Sequence, residues 1–359
     1  MRIVYLINGF NGGGAALPVA DVVMTMSDLG HQVEVVALMR QDGRAEQRLR
    51  EAGVRYRILG PERLGPTSFT RLIGYLRRER PDLLWTSLAR ATLLGQLAGA
   101  LLKIPVVSWQ HNAWLKPINV VLMRRTRRLT RLWVADSDAV RGWAIRELGL
   151  PAERFLVWPL FVADPSAPVA AAWQPGQIFR LGSLGRLHPN KRYEVLVRAA
   201  ARMAQIDPQL AGRMQIIIAG SGDELPRLQA LSAELGLGNL HFDGYVERPQ
   251  QFLAGLHGYV QPSRNEGLCL AAHEALQAGL PVIATPVGQM AHSVIDGVNG
   301  WQVPVDDVDA LARALLKLAA DPALAARMGA AARDSVLERY SRERFRAMCA
   351  EILRAAERA

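Results

Sequence analysis

Two glutamates, Glu266 and Glu274, stand eight positions apart in RNEGLCLAAHEALQAGLPVIAT, residues 264–285. Glu266 follows a polar loop, whereas Glu274 lies in an alanine- and leucine-rich run that reads as a helix. Gly279, Pro281 and the apolar run Val282 to Ala284 read as a helix stop and a strand start. A loop carboxylate, a helix N-terminus and a second carboxylate along that helix would face one cleft. They would suit a ligand whose anionic group lies between two hydroxyl-bearing sugars. Arg186 and Lys191, in GRLHPNKRYEVLVRAA, fall between a strand and a helix. Two cations there could neutralise a diphosphate leaving group as its charge develops. The alternative is a pair of solvated surface cations, and the strand-end position favours the ligand role.

Weaker signals accompany these. Gly12, Gly13 and Gly14 follow an apolar strand and could let backbone N–H groups approach phosphate. The loop is not the spaced dinucleotide fingerprint, and no acidic residue ends the second strand, which disfavours a dehydrogenase. Gly220-Ser221-Gly222 could be a phosphate turn or only a turn. His111 would emerge at the end of the strand Val106 to Trp109, either as a structural histidine or as a reacting-centre group. Asp136-Ser137-Asp138 matches a metal-nucleotide DxD pair, but Ser137-Asp138 before Ala139-Val140-Arg141 reads as helix capping, and no metal is expected. The two cysteines, Cys269 and Cys349, lack metal-ligand spacing and read as free thiols of a reducing cytoplasm.

The elements that must position these groups alternate. Ile3 to Ile7, Val33 to Leu38, Leu83 to Thr86, Val106 to Trp109 and Leu132 to Ala135 read as strands, with helices such as Leu72 to Arg80 and Ala91 to Leu102 between them. A Pro- and Ala-rich stretch, Val162 to Gly176, reads as a linker. Strands then resume at Phe179 to Leu184, Met214 to Ala219, Leu240 to Phe242, Gly258 to Gln261 and Val282 to Ala284. The reading is α/β: two Rossmann-like parallel-sheet domains facing an interdomain cleft, where ligands bind beyond the carboxyl ends of the strands. The length of 359 residues fits two domains, one over residues 1–165 and one over residues 166–341.

The net charge of +10 is uneven. Residues 1–165 hold 23 Lys and Arg against 14 Asp and Glu, so nearly all the excess lies in the first half. Ile118, Leu122, Thr126, Leu129 and Trp133 fall on one helical face, with Arg124, Arg125, Arg127, Arg128 and Arg131 on the other. Such a helix either packs on the core with a solvated basic face or lies in an anionic membrane interface. The basic first half favours the membrane. No aromatic residue interleaves Arg124 to Arg131, which argues against base stacking and nucleic acid. The N-terminal MRIVYLINGF lacks a secretory pattern, and no apolar run is long enough to span a bilayer.

Assembled in order, GRLHPNK, IIIAGSGDE, HFDGYV, PSRNEGLCLAAHEALQAGLPVIATPVG and DGVNGWQVP make the chain resemble glycosyltransferase family 4, the retaining group with the GT-B fold. The glycine loop, Gly30-His31-Gln32-Val33, His111 and Ser137-Asp138 agree in the first half. The resemblance implies a nucleotide diphosphate-sugar donor (UDP- or GDP-linked), no metal or other cofactor, and a glycan or lipid-linked acceptor. It implies cell-surface polysaccharide or lipopolysaccharide synthesis at the cytoplasmic face of the inner membrane.

By the same resemblance, Glu274 would bind ribose hydroxyls and Glu266 the donor sugar. Arg186 and Lys191 would hold the diphosphate. The segment Gly267, Leu268, Cys269 and Leu270 would meet sugar and phosphate at the helix start. Tyr245 and Val246 would lie near the base, Gly220 near the donor, Gly13 and Gly14 beside phosphate and acceptor, and His111 at the reacting centre. A last helix, about residues 342–359, would return to the first domain. Cys269 stands where this family commonly has glycine, Gln289-Met290 replaces a commoner Gly-containing pair, and Ala15-Ala16-Leu17-Pro18 lacks the usual acidic residue. The same fold also serves nucleotide-sugar epimerases and sugar phosphorylases. A basic membrane-binding module without activity is the non-enzyme alternative, opposed by the intact Glu266, Glu274, Arg186 and Lys191.

Overall fold

The computed structural model describes residues 1–12, 14–60 and 67–358. The chain divides into two compact units, Met1–Val162 with Arg342–Ala359, and Ala163–Ser341.

The first unit alternates strands and helices: β1 (Arg2–Gly9), α1 (Val19–Asp28), β2 (Gln32–Met39), α2 (Arg44–Glu51), β3 (Tyr56–Ile58), α3 (Thr67–Glu79), β4 (Leu83–Ser87), α4 (Ala89–Leu102), β5 (Val106–Gln110), α5 (Pro117–Thr126), β6 (Leu132–Ala135), α6 (Asp138–Leu148) and β7 (Phe155–Val157). The seven strands run parallel in the order β3-β2-β1-β4-β5-β6-β7. Central strands such as β4 and β5 are buried at every position and are mostly apolar, with Thr86, Ser87, Ser108 and Gln110 as buried polar residues. The registers Ser87↔Trp109 and Trp109↔Val134 set these three side chains on one face. His111 and Asp136, two residues further along, follow on the same face. That face carries Tyr5, Trp85 and Trp109, with Trp109 stacked on Trp158 at 4.8 Å. The C-terminal helix, Arg342–Arg358, closes it through Phe345, 4.7 Å from the Trp158 ring.

The second unit comprises β8 (Phe179–Leu184), α7 (Tyr193–Ile206), α8 (Pro208–Ala211), β9 (Met214–Ala219), α9 (Leu225–Glu234), β10 (Leu240–Gly244), α10 (Pro249–Ala254), β11 (Gly258–Gln261), α11 (Leu270–Gln277), β12 (Val282–Ala284), α12 (Met290–Ser293), β13 (Gly300–Gln302), α13 (Val308–Ala320) and α14 (Pro322–Arg339). Its parallel sheet has the order β10-β9-β8-β11-β12-β13. The winding direction reverses between β8 and β11, so their carboxyl ends flank the crevice where open α/β sheets bind ligands. Both units are therefore Rossmann-like parallel-sheet α/β domains.

The structure places Trp133 in the strand read from sequence over Leu132 to Ala135, which shortens the amphipathic face. The helix ends at Thr126, Arg127–Leu129 form a 3-10 turn, and Trp133 is a buried β6 residue. The helical spacing ran on into a strand because β6 begins three residues after the turn. Arg131 donates to the Glu357 carbonyl, and Arg124 lies 3.8 Å from the Glu147 carboxylate, so these two arginines have partners inside the unit. Of α5 only Met123 is buried; Ile118, Val121 and Leu122 are exposed, as is Leu129 of the 3-10 turn. Among the described residues no helix is long and apolar enough to cross a membrane.

Candidate active site

In the second unit, four adjacent strands deliver the candidate residues from their carboxyl ends. Arg186 and Lys191 follow β8, Gly220 follows β9, Tyr245 and Val246 follow β10, and Glu266 to Leu270 follow β11. The turns fit together at backbone level. A Cβ on Gly220, whose φ is +137°, would lie 1.9 Å from the Gly185 carbonyl oxygen, and one on Gly222 would lie 2.2 Å from that of Leu187. These glycines are therefore required by packing, which is also what a close approach to a ligand needs.

Lys191 ends a 3-10 turn, Pro189–Lys191, that the His188 side chain caps by accepting from Asn190 N–H at 3.2 Å. The turn meets the following loop directly, because Arg264 N–H donates to the Asn190 carbonyl at 2.8 Å and Asp306 accepts from both Arg192 and Arg264. Across this junction Lys191 Nζ donates to Glu266 Oε1 at 2.7 Å. The lysine side chain is 22% exposed and the glutamate 9%, so little water screens the pair. Burial alone would lower the lysine pKa, but Glu266 and neighbouring groups carry it above the usual ammonium range. Arg186 is exposed at the start of the same loop.

Cys269 is the residue before α11 and holds a left-handed φ of +64°. A non-glycine residue there costs on the order of 1 kcal/mol. Burial, with Glu266 adding to it, pushes its thiol well above the usual range, which favours the neutral form of this buried side chain. Leu268 is buried, Gly267 accepts from Gln289 N–H at 2.8 Å, and a Cβ on Gly288 would strike the Glu266 carbonyl at 2.4 Å. The loop carrying Glu266 is therefore fixed from behind. Glu274 lies half-buried on α11, one turn beyond Leu270. Next to it, buried His273 bonds to the Cys269 carbonyl at 3.0 Å and to Ser293 and Tyr340 through its other nitrogen. Tyr245 is 43% exposed beyond β10, with Val246 half-buried beside it.

In the first unit, His111 stands just beyond β5 and is buried. Its Nδ1 lies 3.0 and 3.1 Å from the two Asp136 oxygens, its Nε2 lies 2.7 Å from Ser87 Oγ, and Trp109 stacks on its ring at 5.3 Å. With Asp136 accepting at Nδ1, the neutral ring keeps its proton there and Nε2 accepts from the Ser87 hydroxyl. Burial raises the Asp136 carboxyl above the usual range, and His111 opposes that shift. Sequence reasoning missed both partners. Ser137 does cap α6, accepting from Val140 N–H at 3.2 Å, but Asp136 is the support of His111 and takes no part in that cap. Its position at the end of the strand next to β5 was the available signal.

Gly13 lies outside the described residues. Gly14 is exposed in a turn that runs to Pro18, and α1 begins only at Val19. Gly14 is thus separated from the start of α1 by this turn.

The description Glycosyltransferase Family 4 matches residues 12–164, and Glycosyl transferases group 1 matches residues 175–335. The D-inositol 3-phosphate glycosyltransferase of Saccharomonospora viridis is 34% identical over 243 residues, 64% of this chain and 53% of that relative. The lipopolysaccharide core biosynthesis glycosyltransferase LpsE of Rhizobium meliloti is 28% identical over 162 residues, 45% of each chain. The chain spans about half the length of the curated relatives it matches. Among solved structures, HepE of Anabaena in complex with UDP-glucose superposes with a TM-score of 0.85 at 21% identity, covering 99% of this chain and 100% of that one. With a family 4 region in its first unit and a group 1 region in its second, the chain belongs to the family 4 glycosyltransferases and has the GT-B fold.

Proposed function

We propose that the protein transfers a sugar, with retention and without a metal, from a nucleotide diphosphate-sugar to a glycan or lipid-linked glycan. The observation that carries this reading is the Lys191–Glu266 pair at the switch point of the second sheet, with exposed Arg186 at the start of the same loop. Cations at that point stabilise a departing diphosphate, and their effect grows as charge develops on the leaving oxygen. Glu266 orients the donor sugar, Glu274 binds the ribose, and Tyr245 and Val246 border the base. His111 serves turnover more than nucleotide affinity. HepE of Anabaena, solved with UDP-glucose, supports a nucleotide-sugar donor, and LpsE of Rhizobium meliloti supports lipopolysaccharide as the class of acceptor. The test is incubation of UDP- and GDP-sugars with and without lipid-linked oligosaccharide in the presence of EDTA. Transfer with the donor's anomeric configuration retained is the expected result. Conversion of the donor without acceptor would instead identify an epimerase.

Cys269 sets the choice of sugar in this reading. Cys269→Gly removes a backbone strain and a buried thiol of similar worth, so stability should stay within about 1 kcal/mol. The ranking of donor sugars by kcat/KM should change. An unchanged ranking would remove Cys269 from the sugar contact.

The exposed Ile118, Val121, Leu122 and Leu129, interleaved with exposed Arg125 and Arg128, support docking on an anionic membrane. Co-sedimentation with vesicles should require anionic lipid and should weaken as salt rises from about 0.1 to 0.5 M. Equal binding to neutral and anionic vesicles would count against this surface.

A further inference from the structure

Glu266 Oε1 is held by two partners that differ in kind. One ends a buried chain that runs from the sheet. Leu184 N–H donates to Tyr259 Oη at 3.1 Å, Tyr259 Oη lies 2.9 Å from Gln261 Oε1, Gln261 Nε2 donates to Ser263 Oγ at 2.8 Å, and the Ser263 hydroxyl donates to Glu266 Oε1 at 2.6 Å. Tyr259, Gln261 and Ser263 are completely buried. A backbone N–H can only donate, so the tyrosine oxygen accepts there, and its own proton faces two acceptors, the Leu184 carbonyl at 3.1 Å and Gln261 Oε1 at 2.9 Å. The amide then offers its NH2 to Ser263, and the serine sends its own proton to Glu266. The fold itself thus presents this carboxylate as an acceptor. The other partner is Lys191, an ammonium with three donors on a flexible four-carbon stem.

We propose that Lys191 is exchanged between Glu266 and the donor's diphosphate. In the empty site it neutralises Glu266. A diphosphate, carrying more negative charge, takes the ammonium over. Glu266, still anchored by Ser263 at 2.6 Å and by Gln261 Nε2 at 3.4 Å, then accepts from the hydroxyls of the attached sugar. Tyr259, Gln261 and Ser263 are positioning residues for this exchange. The inference rests on the donor-site reading above and adds a coupling to it: the diphosphate is bound against the competition of Glu266, and the sugar makes good the lost ion pair.

The test is calorimetric titration of UDP and of GDP, without sugar, into the wild-type protein, Glu266→Gln, Lys191→Met and the double variant. Glu266→Gln frees Lys191 and should tighten binding of the nucleoside diphosphate about tenfold. In the Lys191→Met background the same change should alter affinity less than about twofold, because nothing is left to free. An equal gain in both backgrounds would reduce the effect to charge repulsion and overturn the exchange, as would no gain in either. Failure of both nucleotides to bind the wild-type protein would overturn the donor reading and the exchange together. Glu266→Ala gives the same comparison should the amide variant not fold.

Discussion

Glu274→Ala is expected to weaken nucleotide binding about a hundredfold while leaving the fold intact. The carboxylate lies half-buried on α11, just after the helix start whose first N–H groups have no carbonyl partners within the helix. Two vicinal ribose hydroxyls would donate to it together, and each hydrogen bond to a charged group contributes about 1.5–3 kcal/mol. Loss of both, with partial replacement by water, corresponds to about two decades in Kd. Glu274→Gln keeps the shape and one acceptor and should fall between the two. Calorimetry measures this directly, with circular dichroism as the check on folding. Unchanged affinity in the folded alanine variant would remove the ribose role.

His111→Ala should lower kcat at least a hundredfold and change the donor KM less than about threefold, because an interaction made only in the transition state is lost from kcat. The ring is buried between Asp136, Ser87 and Trp109, so its removal also leaves a cavity and an unpaired buried carboxylate. Asp136→Asn avoids the cavity. It keeps the volume but weakens the group that fixes the His111 proton on Nδ1, and it should reduce kcat about tenfold to a hundredfold at similar KM. Asp136→Asn should also move the acid limb of the pH–rate profile, which a purely structural role would not do. A rise in KM at constant kcat in both variants would place His111 in ground-state binding.

Much of this architecture is legible in the sequence, for a physical reason. Strands β6, β8, β9, β11 and β12 begin and end where the mostly apolar runs do, because parallel strands covered on both faces tolerate few polar positions, here Arg180 and Ser183 in β8, Gln215 in β9 and Gln261 in β11. Strands β3, β7 and β13 escape such a reading. Each has only three residues, β3 contains exposed Arg57 and β13 opens on a glycine, so pairing with a neighbour defines them more than composition does. The same split holds in the candidate site. Glu266, Lys191 and His111 carry chemistry that announces itself in their residue types and strand-end positions. Their supports do not: Asp136 is 25 residues from His111, and Ser263 and Gln261 resemble any polar residues at the end of a strand. Sheet order brings Asp136 to His111, whereas Gln261 and Ser263 reach Glu266 through the local path of the chain beyond β11.

The central claim is that the second unit binds a nucleotide diphosphate-sugar, and thermal stabilisation by a panel of nucleotide sugars and free nucleotides tests it most directly. A ligand that binds only the native state raises its stability by about 2.7 kcal/mol at a hundredfold excess over Kd. The account predicts a concentration-dependent rise in Tm with a UDP- or GDP-sugar that is lost in Glu274→Ala. No shift with any member of the panel, or an equal shift in Glu274→Ala, would contradict it.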